Sequence, residues 1–312
     1  MAERRVVGID AGGTKLLAGV VDEQLAVHHR LHRLWRGTER QDVLDLFVEV
    51  VQEALEAAPE AEAVGFGIPA LMDRDRAVAL DCVHLPLDGV PFRDLMSERL
   101  DRPVVVDNDE NYALLAEARA GAAKGAADAL LLTLGTGIGG GILARGEIYR
   151  GAGGAGELGH IVVELGGELC TCGSHGCLET VVSGPAFARA GAVAADEQPV
   201  SALGQAKAEG REITGTLVTE LAGEGDEAAV AVLTEAGRKL GAGLVSLANV
   251  FSPEVIVIGG GAAAAGDLLL DPARAELRQH ALAPHRDVRV LAAHFGDEAG
   301  MLGAALAALE DR

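Results

Sequence analysis

Aromatic residues are scarce in this chain: one Trp, two Tyr and six Phe make up 3% of it. A core cannot then rest on large rings. With 42 glycines present, small side chains and close backbone approach must carry much of the packing. Basic residues are short as well, 26 Lys and Arg against 47 Asp and Glu, for a net charge of −21. With no basic patch or stripe available, nucleic acid and anionic membrane surfaces are excluded as partners. Long hydrophobic runs are missing too. The longest uncharged stretches, Leu240 to Pro253 and Val255 to Gly266, are too short and too rich in glycine to span a bilayer. Asp10 and Lys15 interrupt any apolar signal region near the start, so the expected location is the cytoplasm. At 312 residues the chain is long for a single core and is expected to split in two.

Cysteines number only four, and three of them crowd together. Cys170, Cys172 and Cys177 follow His160, a spacing that suits a tetrahedral zinc site with one nitrogen and three sulfur ligands. Four protein ligands close the coordination shell, which makes such a zinc structural rather than catalytic. The spacing also allows three loop cysteines without a ligand role. A disulfide is disfavoured, because nothing else in the chain speaks for an oxidising compartment. Cys82 stands apart and reads as a small buried hydrophobe. Glu157 and Glu179 bracket the knot.

Taken in order, Arg4 to Asp10 and Lys15 to Val21 read as strands joined by a glycine turn. Asp10, Gly12, Gly13, Thr14 and Lys15 offer a carboxylate, bare backbone N–H groups, a hydroxyl and an ammonium, a set that can meet a metal-bound phosphate. The order of residues is not that of a Walker A loop, and an ordinary hairpin accounts for it equally well. Leu25 to Leu34 is a third strand. Gln41 to Ala57 has helical apolar spacing and stops before Pro59. Ala63 to Ile68 is a strand and Phe92 to Leu100 a short helix. The strand Pro103 to Val106 turns into the helix Glu110 to Ala120 through Asp107-Asn108-Asp109. One helix needs one cap. Three cap-type residues in a row, at the carboxyl end of a strand in an open α/β sheet, stand where ligands bind. Asp109 is therefore a candidate functional carboxylate as well as a helix-terminal one.

Ala129 to Leu134 begins a second sheet. Residues 135–140 match the Gly-x-Gly-x-x-Gly dinucleotide fingerprint, yet that loop must open a helix, and residues 141–149 read as strand and turn. The strand, glycine turn, strand unit echoes the one at Val7 to Val21, each with a threonine inside the turn (Thr14, Thr136). Two such halves suggest a duplicated α/β domain with a nucleotide clamped between. Glu179 to Ala195 and Ser201 to Leu221 look helical. Asp226 to Asn249 is a long helix whose Gly241 and Gly243 imply tight packing. The strand Glu254 to Ile258 leads through Gly259, Gly260 and Gly261 into a helix Ala262 to Leu270, a turn that lets a flat or anionic ligand approach backbone. Val288 to Leu291 is a last strand and Glu298 to Leu309 a terminal helix.

Together these residues resemble the ROK sugar kinases, a family of bacterial glucokinases and N-acetylhexosamine kinases. Asp10-Ala-Gly-Gly-Thr-Lys15 is similar to its first phosphate loop, and Asn108-Asp109-x-Asn111 to its catalytic segment. Residues 134–141 resemble the second phosphate loop. Glu157-x-Gly-His160 and Cys170-x-Cys172-Gly-x-x-Gly-Cys177-x-Glu179 resemble its sugar and zinc signatures, and Val255 to Gly261 its adenosine-side strand and turn. The resemblance implies an α/β, actin-like (ribonuclease H-like) duplicated two-domain fold with an interdomain cleft. Residues 1–120 plus 298–312 would form the smaller domain and 121–297 the larger, zinc-bearing one. It further implies ATP-dependent phosphorylation of a hexose, glucose first, with Asp109 as general base. Asn108, Gly67, His84, Glu157, His160 and Glu179 would surround the sugar. Asp10 would act on Mg²⁺, and Gly12, Gly13, Thr14, Lys15, Thr136, Gly137, Gly259 and Gly260 would hold the nucleotide. His160, Cys170, Cys172 and Cys177 would hold Zn²⁺, and the chain would assemble as a homodimer or homotetramer.

Departures from the family pattern gather on the acceptor side, at Ala70, His84, Leu87 and Glu110, so another hexose or an N-acetylhexosamine is the alternative substrate. Three rivals remain. A ROK-type repressor needs a helix-turn-helix segment, and the first strand already begins near Arg4. A silent sugar-binding sensor is disfavoured by the presence of Asp109 with both glycine loops. A dehydrogenase is disfavoured because no helix is expected after Gly140.

Overall fold

A computed structural model of the chain describes residues 4–12, 15–35, 39–82 and 85–311; Gly13, Thr14 and His84 lie outside the described residues. Internal contacts divide the chain into two units. One comprises Met1–Gly125, Gly141–Gly156 and His294–Arg312, the other Ala126–Gly140 and Glu157–Ala293. The sequence suggests cuts at 120/121 and 297/298. The contacts place them at 125/126 and 293/294, and return residues 141–156 to the first unit.

The first unit is built on β1 (Arg5–Ala11), β2 (Lys15–Asp22), β3 (Val27–Leu34), α1 (Arg40–Ala57), β4 (Val64–Ile68), β5 (Ala70–Met72), β6 (Ala79–Cys82), α2 (Phe92–Leu100), β7 (Val104–Asn108) and α3 (Asp109–Ala120). Its sheet runs β3-β2-β1-β4-β7, antiparallel through the first three strands and parallel from β1 to β4 to β7. Alternation along β1 sends Val7, Ile9 and Ala11 into one core with α1 and α2, and Val6 into another with the last helix. Four of the nine aromatics meet in the first core. Phe47, Phe66 and Phe92 meet edge to face at 5.3–5.5 Å between ring centroids, and Trp35 joins Phe47 at 5.6 Å.

The second unit carries β8 (Ala129–Leu134) and the start of β9 (Ile138–Ala144), which continues to β10 (Glu147–Ile148). Then follow α4 (Leu178–Val181), α5 (Gly184–Glu197), α6 (Ala202–Ala208), α7 (Gly215–Gly223), α8 (Glu227–Phe251), β11 (Val255–Gly259), α9 (Asp267–His280) and β12 (Arg289–Ala292). The sheet order β10-β9-β8-β11-β12 repeats that of the first sheet. β8, β11 and β12 are again parallel. The duplication that the two glycine turns suggest is thus present in the topology.

The last helix, α10 (Ala299–Glu310), packs in the first unit, and glycine makes that packing possible. A Cβ on Gly8 would collide with the carbonyl of Met301, one on Gly65 with that of Ala304, and one on Gly303 with that of Tyr112. Helix backbone therefore lies directly on β1, β4 and α3.

Three helical expectations differ from the structure. Ser201 to Leu221 is two helices, α6 and α7, with residues 209–214 between them. Glu179 to Ala195 is not one helix, because the Ser183 hydroxyl accepts the Ala186 N–H at 3.3 Å and starts a new helix with Pro185 in its first turn. After Gly260 the chain makes a 3₁₀ turn, Gly261–Ala265, before α9 begins at Asp267, in place of a helix from Ala262.

Candidate active site

In the first unit, strand register sets the site. Asp10 lies across from Gly67, and Gly67 across from Asp107. The carboxyl ends of β1, β4 and β7 are thus level, and Asp109 opens α3 at the same edge. A Cβ on Gly67 would stand 3.2 Å from the Asp109 Cα, so the bare glycine admits the start of that helix. The three cap-type residues have separate roles. Asn108 is the cap, its Oδ1 accepting the N–H groups of Glu110 at 3.0 Å and Asn111 at 3.3 Å. Its Nδ2 donates to the Ala70 carbonyl at 3.4 Å. Asp107 is buried and pairs with Arg150 at 2.6 Å. Asp109 stands at the first helical position, where the helix dipole favours its charge.

Asp10 sits on the α10 side of β1. A Cβ on Gly300 would meet its carboxyl atoms at 2.6–3.0 Å, so that glycine leaves room for the carboxylate. Burial pushes the Asp10 carboxyl up to about 8, the charge on Asp109 adds to this, Lys15 opposes it and Asp297 adds again. Crowded carboxylates of this kind are the donor set a hard divalent cation takes. Lys15 is paired with Asp297, and the Gly12 carbonyl accepts the Trp35 indole N–H at 2.6 Å.

In the second unit, His160, Cys170, Cys172 and Cys177 offer four ligand atoms that all lie within 4.8 Å of one another. The Cys172 and Cys177 sulfurs are 3.7 Å apart, and His160 Nδ1 is 3.6 Å from the Cys170 sulfur. A disulfide needs about 2.05 Å, whereas the edge of a tetrahedron with ~2.3 Å zinc–sulfur bonds is about 3.8 Å. The donor set and its spacing fit a metal ion. The Ser174 N–H, then a bond with Cys170, lowers the Cys172 thiol, while burial, then bonds with Cys172 and Cys170, pushes Cys177 up to about 12.

The second nitrogen of His160, Nε2, is 3.7 Å from Glu157. Glu179 joins the cluster to the second glycine loop. Its Oε2 accepts the Ile138 N–H at 2.9 Å, and its Oε1 lies 3.4 Å from the Thr171 hydroxyl and 3.7 Å from the Cys170 sulfur. A Cβ on Gly137 would strike this carboxylate. The loop around Thr136 is also fixed by the Gly184 N–H, which donates to the Gly135 carbonyl at 2.8 Å. Gly260, at φ +83°, turns the chain onto the backbone of Leu134, just before that loop.

The structure thus gathers Asp10, Lys15, Gly67, Asn108 and Asp109 in the first unit. In the second it gathers Glu157, His160, Glu179 and the three cysteines, with Gly137 and Gly260 nearby. Sequence reasoning missed Asp297, Gly300 and Arg150. Gly300 had a readable signal, a bare glycine in the first turn of an otherwise Ala- and Leu-rich helix. Arg150 had none, being one arginine in a glycine-rich segment.

Two sheets of repeated order with glycine turns define the actin-like fold of the sugar kinases. A solved ROK family glucokinase from Streptomyces griseus, in complex with glucose and AMPPNP, superposes with a TM-score of 0.87 at 37% identity, covering 98% of this chain and 100% of that one. The ROK hexokinase of Thermus thermophilus superposes at a TM-score of 0.78 and 35% identity, covering 98% of each chain. The glucokinase of Streptomyces coelicolor is 36% identical over 96% of both chains. A model of the ROK family matches residues 6–311, and the chain belongs to that family.

Proposed function

We propose that this chain is a glucokinase that transfers the γ-phosphoryl group of ATP to glucose, giving glucose 6-phosphate. The observation that carries this reading is the placement of Asp109, at the first turn of α3 beside Asp10 and at the level edge of three parallel strands. The likeness to glucokinases over nearly the full chain supports it. In this reading Asp109 accepts the proton of the sugar 6-hydroxyl as its oxygen attacks phosphorus. Phosphoryl transfer asks little covalent help of a protein, so alignment and charge neutralisation dominate. Asp10 would hold Mg²⁺, which would neutralise phosphate charge, and the glycine loops at Gly12–Lys15 and Thr136–Gly137 would meet the phosphates, with Gly259 and Gly260 on the adenosine side. Gly67, Asn108, His84, Glu157, His160 and Glu179 surround the sugar. His160, Cys170, Cys172 and Cys177 would hold Zn²⁺, which would supply a structural brace for the loop between the two glutamates. The reading places the enzyme in the cytoplasm as a homodimer or homotetramer.

A coupled ADP-release assay with glucose, N-acetylglucosamine, N-acetylmannosamine, mannose, fructose and allose tests it. Glucose is expected to give the highest kcat/KM, and turnover of none of the six overturns the proposal. Asp109→Asn is expected to abolish turnover while glucose binding, read by calorimetry, stays close to wild type. Persistent turnover would move the base elsewhere.

A further inference from the structure

Glu117 lies on the last turn of α3 and is fully buried, yet its partners among the described residues are backbone N–H groups. Its Oε2 accepts the N–H of Ala122 at 2.7 Å. Its Oε1 accepts those of His294 at 2.8 Å and Phe295 at 2.9 Å. Its own carbonyl accepts two more, from Gly121 and Ala123, both at 3.0 Å. One residue therefore binds the backbone on the near side of two chain crossings. Ala122 just precedes the exit from the first unit at Gly125, and His294 is the first residue after the return. A Cβ on Gly121 would run into the Glu117 carboxylate, so the turn is shaped around that group. Burying a carboxylate for packing alone is costly, and an apolar side chain would strand three N–H donors. The helix that Glu117 ends is the helix that Asp109 begins.

We propose that Glu117 is a positioning residue whose carboxylate fixes both crossings to α3, so that the crossings and Asp109 move as one body. Any change in the course of the chain at either crossing is then delivered to the base through a rigid helix of three turns. The kinetic arm of the test rests on the kinase reading above; the exchange arm does not.

Two variants of the full chain are compared with wild type by peptide-level hydrogen exchange and by turnover with glucose. Glu117→Gln keeps one accepting oxygen and turns the other end into a donor, which must release one crossing. Gly121→Ala leaves the charge intact and displaces the carboxylate, and so serves if the first variant folds poorly. Exchange is expected to rise about tenfold or more at 121–126 or 293–296, the factor that goes with one lost bond to a charged acceptor. It is expected to rise also at 107–113, while residues 5–9 of β1 stay protected. With this, kcat falls about tenfold and bound metal is unchanged. The proposal is overturned if both crossings stay as protected as in wild type in both variants. It is overturned equally if they loosen with 107–113 and kcat unaltered, the pattern of a merely structural contact. Should wild type phosphorylate no sugar, the kinase reading fails and exchange at 107–113 alone decides on Glu117.

Discussion

Replacing Arg150 by methionine tests whether the candidate base, Asp109, is held from beneath. Asp107 is 1% exposed and its Oδ2 lies 2.6 Å from both Nε and Nη2 of Arg150. Its Oδ1 is already used, by the Asn108 N–H at 2.8 Å and Asn111 Nδ2 at 3.1 Å. Methionine preserves most of the aliphatic stem and strands Oδ2 without a donor. Removing one member of a fully buried ion pair costs about 3–5 kcal/mol, because the other charge is left uncompensated. Arg150 is 27% exposed, so water reaches part of the vacated site and about 2–3 kcal/mol is the expected loss. For units of this size that corresponds to a fall in Tm of roughly 5–10 °C.

A double-mutant cycle separates the pair from the packing. In an Asp107→Asn background the charge is gone, so Arg150→Met should there cost about 1 kcal/mol or less, leaving a coupling of ~1.5–2 kcal/mol. Thermal unfolding followed by circular dichroism gives all four values. Asp107 also precedes Asn108 and Asp109, so Arg150→Met should lower kcat about tenfold without moving the apparent pKa of the rate profile. Additive effects in the cycle, or a single-variant loss below about 0.5 kcal/mol, would refute the reasoning.

Two more outcomes are expected. Cys172→Ser should lower bound zinc from about one per chain to well below that, with a weaker glucose affinity and a larger effect on Tm than on kcat; full metal content with wild-type affinity would contradict the brace. Asp10 is a carboxyl held near 8 in the folded chain, far above its unfolded value, so between about pH 4 and 8 the folded state binds more protons than the unfolded and stability falls as pH rises. Asp10→Asn should therefore gain Tm over wild type progressively from pH 5 to pH 8 in Mg²⁺-free buffer while losing turnover. A gap in Tm that does not widen with pH would count against the burial of that charge.

The elements were legible where periodicity and punctuation agree. α2 and β8 run over the residues that the apolar pattern marks, Phe92–Leu100 and Ala129–Leu134, because each is bounded by a turn signal, with α2 buried on one face and β8 buried along nearly its whole length. The pattern failed at Ser183 for a local reason: apolar residues continue through the break, and only Ser-Gly-Pro reveals a new helix start. The metal cluster was legible because its four ligands come from one short stretch. Asp297 and Gly300 were not. They meet Lys15 and Asp10 across nearly the whole length of the chain, and no local rule relates them.

Asp107 and Glu117 mark the limit more sharply. In the sequence both are acidic residues at helix ends, where a solvated charge is the ordinary expectation. The structure buries both, and what makes that possible is geometry set elsewhere. Arg150 arrives on a segment that leaves the first unit's sequence at Gly125 and rejoins it at Gly141. His294 and Phe295 arrive from the far end of the chain. A carboxylate buried among backbone N–H groups becomes stable only once those segments are in place, so its role exists only in the assembled fold. Asp109 differs because the helix it opens already supplies N–H groups and a favourable dipole. That is why the candidate base could be read from the sequence while the residues that hold it could not.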